Sequence, residues 1–186
     1  NLADEIAYNA HDIDDGVRSG LLTLDQVAEV PLFARFQAEV WREYPHLAPR
    51  RVLYETIRRM LSAQVYDVID TTRAALAEAA PADVDAVRQL PPLVRFGAAM
   101  RAQSSELKRF LFEQLYRHPQ VVATTTLARQ VVRELFAAYR IHPAELRPSF
   151  AGRPDRERAV ADYIAGMTDR FALREHERLT GRRLMA

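Results

Sequence analysis

An all-α fold is predicted, and three features of the sequence predict it. Apolar residues recur at three- and four-residue spacings along nearly the whole chain, the signature of amphipathic helices. No segment shows the strict alternation of a half-buried strand. Prolines, glycines and capping residues fall at helix-length intervals, as helix boundaries require.

The first helix is expected from about Leu2 to Arg18, stopped by Gly16 and Gly20. Thr23-Leu24-Asp25-Gln26 spells a capping box for a short helical turn. Pro31 opens a helix whose buried face is expected to hold Phe33, Phe36, Val40 and Trp41, ending before Pro45. A long helix follows from Pro49 to about Ala79, carrying Val52, Ile57, Met60, Leu61, Val65, Val68, Ile69 and Leu76. Asp83 can cap a short helix to Leu90, after which Pro91-Pro92 breaks the chain. The next helix is expected from Leu93 to Arg117, ended by Pro119. Thr124 to Thr126 are expected to cap a helix through Tyr139. Pro143, Pro148 and Gly152 mark a looser connector before a helical pair, Pro154 to Ala165 and Thr168 to Leu179, bent at Gly166. The whole reads as an irregular multi-helix bundle, with no internal repeat.

Composition narrows the possible functions. With 186 residues, 48% hydrophobic and 27% charged, the chain can bury a sizeable core. There is no cysteine, which excludes disulfides and a Cys-ligated zinc site and fits a cytoplasmic protein. No apolar run reaches the roughly 18 residues of a membrane span. A net charge of +1 does not indicate nucleic acid as a partner. The chain opens without Met directly into a helical pattern, and is read as part of a longer protein. Of its 26 basic residues a single one, Lys108, is lysine. An isolated lysine in so arginine-rich a chain points to a place where a guanidinium is not an equivalent substitute.

The chemistry is concentrated near the start. Around a helix, Asp4, Tyr8, His11 and Asp15 fall within a sector of about 60°, with Asp12 beside it. Ile6, Ile13, Leu2 and Val17 lie on other faces. This stripe of acids, imidazole and phenol suits either a solvated acidic face, with Tyr8 tucked against the next helix, or a site for a metal or phosphate. Like charges at four-residue spacing destabilise an isolated helix, so a cation or basic neighbour is expected to compensate.

The string ADEIAYNAHDIDDGVRSGLL, Ala3 to Leu22, resembles the segment of dGTPase-like proteins that carries their last metal-binding aspartate. Three further strings agree with the same family in the same order: RRMLSAQVYDVIDTT (Arg58 to Thr72), FLFEQLYRHPQV (Phe110 to Val121) and DYIAGMTDRFALREHERL (Asp162 to Leu179). The resemblance covers essentially the whole chain and implies the C-terminal part of a deoxynucleoside triphosphate triphosphohydrolase of the HD superfamily. Such an enzyme converts a dNTP to deoxynucleoside and tripolyphosphate with a divalent metal, Mg, Mn or similar.

The resemblance implies roles residue by residue. Asp4 takes the place of the final metal ligand. His11-Asp12 is not the eponymous doublet; the other metal ligands, a His and a His-Asp pair, would lie upstream. Tyr8 and Asp12 would line the deoxyribose pocket, the carboxylate accepting from the 3′-hydroxyl and the ring crowding the 2′ position. Tyr116 resembles the family tyrosine near sugar and base, though it also reads as a core aromatic before a helix-ending proline. Lys108, two helical turns earlier, would point its charge at the triphosphate, or stand as an exposed lysine. Arg58 and Arg59 are expected to form ion pairs between helices. Residues 1–22 would be the last helix of the HD metal-binding core. Residues 23–186 would complete the active site and the contacts of a homo-oligomer. Two alternatives stay open: another HD-superfamily phosphohydrolase, or a non-catalytic helical module that binds nucleotides and regulates.

Overall fold

The computed structural model describes residues 2–184 and is all-α; no strand occurs among them. The chain divides into two compact units, the first ending at His118 and the second beginning at Pro119. Within the first unit, α1 shares one core with the helices that follow it.

In the first unit, α1 (Leu2–Arg18) buries Ile6, Ala10, Ile13 and Gly16 along one arc. Gly16 lies inside the helix rather than ending it: a Cβ there would sit 2.6 Å from Leu22 Cδ1, so the following turn folds tightly back onto α1. Gly20, at φ +75°, takes the left-handed conformation that makes this reversal. Helix α2 (Leu24–Ala28) starts from the expected capping box. The Thr23 N–H donates to Gln26 Oε1 at 2.8 Å, and the Gln26 N–H donates to Thr23 Oγ1 at 3.2 Å.

Helix α3 (Pro31–Glu43) buries Leu32, Phe33, Phe36 and Val40. Trp41, expected on that face, is 40% exposed. It stands nine residues from the fully buried Leu32, about 180° away around the helix, so burying one turns the other outward. Helix α4 (Pro49–Ala79), about 46 Å long at 1.5 Å per residue, packs against both α1 and α3. Arg59 joins α4 to α3 through Glu43 at 2.6 Å, the interhelix ion pair expected of it, and also meets Glu55 of its own helix at 2.9 Å. Arg58, expected to pair between helices as well, instead pairs within α4, with Glu55 at 2.7 Å one turn back. A short α5 (Val84–Gln89) is capped by Asp83.

Residues 91–97 are not helical, and α6 begins at Ala98 rather than Leu93. The Gly97 N–H donates to Asp67 Oδ2 at 2.8 Å, so a carboxylate of α4 sits at the start of α6. Helix α6 (Ala98–Leu111) runs into a five-residue π-turn, Phe112–Tyr116, marked by the Arg117 N–H to Phe112 carbonyl bond of 3.1 Å. Leu107, Leu111 and Leu115 carry its buried edge into the core with Ile13, Leu22, Phe33 and Met60.

In the second unit, α7 (Pro119–Ile141) starts five residues before the threonines expected to cap it. Thr124 and Thr126 instead return their hydroxyls to the Gln120 and Val122 carbonyls one turn back. A 3-10 turn at Pro143–Glu145 and a short α8 (Pro148–Ala151) form the connector. Then α9 (Arg156–Ala165), capped by Asp155, and α10 (Asp169–Thr180), capped by Thr168, complete the unit. Its core gathers Val131, Leu135, Tyr139, Leu146, Val160 and Tyr163. His176 is 1% exposed, with Nε2 2.6 Å from Glu134 Oε2 and Nδ1 3.1 Å from the Arg182 carbonyl. No helix among the described residues is long and apolar enough to cross a membrane.

Candidate active-site helix pair

Burial of Ile6, Ala10 and Ile13 turns the opposite side of α1 outward. Asp4, Tyr8, His11 and Asp15 are all exposed, so the predicted stripe exists and faces solvent. Tyr8 is 67% exposed and stands out from the surface rather than packing against a neighbouring helix. Asp4 makes no hydrogen bond or ion pair with another described residue, leaving both carboxylate oxygens available.

Between stripe and core lies a flank of α1 that carries Asp12, a candidate from sequence, and Glu5, which was not. Glu5 and Asp12 are seven residues apart, about 20° around the helix, and both are half-buried. The α6–π-turn segment runs beside this flank and meets it at two rungs. The Lys108 ammonium lies 3.2 Å from Glu5 Oε2. Two turns on, the Tyr116 hydroxyl donates to Asp12 Oδ2.

The two rungs do not match in spacing, and the π-turn explains how they can both form. Lys108 and Tyr116 are eight residues apart, which on a regular α-helix would rotate them about 80° from each other. A π-turn takes up one more residue than an α-turn and so brings Tyr116 back to the side of Lys108. Its backbone is what allows both side chains to reach α1.

The Tyr116–Asp12 contact also sets the state of the phenol. Hydrogen bonding to Asp12, then burial, then the charge of Asp12 push the Tyr116 hydroxyl up to about 12. Tyr116 therefore remains a neutral donor, and Asp12 keeps one oxygen, Oδ1, outside this bond. Four of the five site residues suggested by sequence, Asp4, Tyr8, Asp12 and Tyr116, gather on α1 and the π-turn. Lys108 joins them through Glu5, a residue the sequence reading passed over. Its seven-residue spacing from Asp12 is the signal that could have found it.

Fit to a metal is limited to a single ligand. Among the described residues no three His, Cys, Asp or Glu side chains converge to hold an ion. Asp4, exposed and unengaged, suits one carboxylate of a set rather than a whole site.

Comparison with known proteins places the chain at the level of family. Residues 94–178, spanning α6, the π-turn and most of the second unit, match the phosphohydrolase-associated domain. The class is thus a helical region that accompanies phosphohydrolases. Over 96% of its length the chain is 55% identical to a deoxyguanosinetriphosphate triphosphohydrolase-like protein of Bordetella pertussis, covering 47% of that protein. It is 50% identical to one of Thiobacillus denitrificans and 44% identical to one of Nitrosomonas europaea, covering 48% of each. The chain belongs to the deoxyguanosinetriphosphate triphosphohydrolase-like family, and spans about half the length of the curated relatives it matches.

Proposed function

We propose that this chain supplies the sugar- and phosphate-facing helix pair of a metal-dependent dNTP triphosphohydrolase, dGTP or another dNTP being hydrolysed to deoxynucleoside and tripolyphosphate. The observation that carries the reading is the Tyr116–Asp12 bond, which couples the π-turn to α1 beside the exposed Tyr8 and Asp4. The relatives' names support the same class of reaction.

In this reading Asp12 accepts a hydrogen bond from the substrate 3′-hydroxyl through the oxygen that Tyr116 leaves free. A fixed acceptor selects strongly for a substrate hydroxyl, because a substrate lacking it leaves the acceptor unpaired. The Tyr8 ring, standing free on the same helix, excludes a 2′-hydroxyl by volume. Lys108 offers its ammonium to the phosphates, exchanging Glu5 for a more strongly charged partner. A divalent cation, Mg, Mn or similar, held by Asp4 with a His and a His-Asp pair from the remainder of a longer protein, would supply Lewis acidity at the α-phosphate. Homo-oligomeric assembly and a cytoplasmic setting belong to the same reading.

The test is Asp4→Asn in a longer protein containing this chain. Metal-dependent release of tripolyphosphate from a dNTP is expected to vanish, while far-UV circular dichroism stays unchanged because the side chain is exposed. Turnover equal to that of the unaltered protein would remove Asp4 from the site.

A further inference from the structure

Glu5 follows Asp4 in the chain, one Cα step of 3.8 Å away, and lies on the flank of α1 that faces α6. Its partner is the single lysine among 26 basic residues. We propose that Glu5 is a positioning residue: it holds the Lys108 ammonium at the Asp4 end of the stripe, where the ammonium meets a polyphosphate chain. This rests on the function proposed above and names the group that orients its phosphate-binding cation.

Three observations carry it. First, the pair is open to solvent, with Lys108 61% and Glu5 33% exposed in their side chains. Exposed ion pairs contribute little to stability, so this one can be given up cheaply when a stronger anion arrives. Second, the cation is an ammonium. A guanidinium would close onto Glu5 through two parallel bonds and resist transfer, whereas an ammonium on a flexible stem can turn between partners. Elsewhere in the first unit the same role of bridging to a carboxylate falls to arginine, as with Arg58 and Arg59 on Glu55. Third, the π-turn places Lys108 and Tyr116 on one side of the segment, so the rung that orients the ammonium and the rung that orients Asp12 point at the same helix. A deoxyribose at one rung and a phosphate chain at the other would lie along α1, two turns or about 11 Å apart.

The stripe itself is acidic, and simple electrostatics would have any loss of acid improve the binding of a polyanion. Positioning predicts the reverse, and that difference in sign makes the test. Because Lys108 is the only lysine, incorporation of [ε-13C]lysine gives one side-chain signal. In the present chain that signal is expected to move saturably with inorganic tripolyphosphate. Glu5→Gln is expected to weaken that binding about three- to tenfold, with the melting temperature within about 2 °C of the original. The double exchange Glu5→Lys with Lys108→Glu restores the ion pair, and is expected not to restore tripolyphosphate affinity.

Binding that is unchanged or tighter in Glu5→Gln, no response of the lysine signal to tripolyphosphate in the original chain, or full recovery in the double exchange would each overturn the proposal. Failure of the broader reading is separately visible. A longer protein that turns over no dNTP to tripolyphosphate contradicts the function, whereas one that does so equally well with Glu5→Gln contradicts only the role of Glu5.

Discussion

Tyr116 is 51% exposed, yet its hydroxyl is committed to Asp12, a residue 104 positions earlier in the chain. An exposed phenol that spends its donor on a carboxylate is restricting that carboxylate, since water could satisfy either group alone. Tyr116→Phe keeps the ring and removes the bond. The dNTP KM of a longer protein is expected to rise about fivefold, roughly 1 kcal/mol, the fold being retained. An unchanged KM would show that the bond does not prepare Asp12. With its hydroxyl pushed up to about 12, Tyr116 does not ionise below about pH 11, so this effect should be constant from pH 7 to 10. Identity at these positions could be read from the sequence: Asp4, Tyr8, Asp12 and Tyr116 were all candidates from spacing or resemblance. Their partners could not, because Glu5–Lys108 and Asp12–Tyr116 connect residues more than 100 positions apart. Likewise Thr56, Gln64 and Ser104 are almost wholly buried although their residue types are ordinarily exposed.

At the scale of elements, helix identity was legible and helix ends were less so. Thr23, Asp83 and Thr168 act as caps because their side chains sit just before an apolar periodic run. Thr124 and Thr126 have the same chemistry and do not cap, because Pro119 starts the helix a turn and a half earlier. The π-turn leaves no mark in a pattern read at 100° per residue. The close fit of α1 against the turn after it gives one prediction: Gly16→Ala places a Cβ 2.6 Å from Leu22 Cδ1 and near Leu115. Overpacking there is expected to cost about 1–3 kcal/mol, measured by denaturant unfolding, although alanine is the better helix former. A stabilised variant would mean that Leu22 yields freely.

A second prediction belongs to the α3–α4 junction. Hydrogen bonds from Arg58 and then Arg59 hold the Glu55 carboxyl down at about 2 against an ordinary 4.5. A depressed folded value means stability that is complete above about pH 4.5 and is lost as pH falls toward about 2. Glu55→Gln should therefore lower the melting temperature at pH 7 and flatten its decline between pH 4.5 and 2. An acid profile that is merely displaced, with the same slope, would show that Glu55 is not a source of that decline.

At the scale of the whole molecule, two hydrophobic cores serve two compact units, and the candidate site lies in the first. The site includes one expected metal ligand, and no set of three converges among the described residues. Calorimetric titration of the present chain with Mg²⁺ or Mn²⁺ is accordingly expected to show no binding tighter than about the millimolar range, as suits an isolated carboxylate. A micromolar site in this chain would mean that its own residues complete the ligand set, and would redraw the division of labour proposed for the longer protein.

The sequence by itself determined the class of fold, the order of helices, the acidic stripe on α1 and the family, since each depends on residue type at local spacing or on strings of adjacent residues. The register of α6 against α1, the π-turn that maintains it, the pairing of the lone lysine and the burial of Leu32 in preference to Trp41 were decided only by tertiary structure. They depend on which surfaces meet, and a one-dimensional pattern records the faces of each helix but not the face that the next helix presents to it.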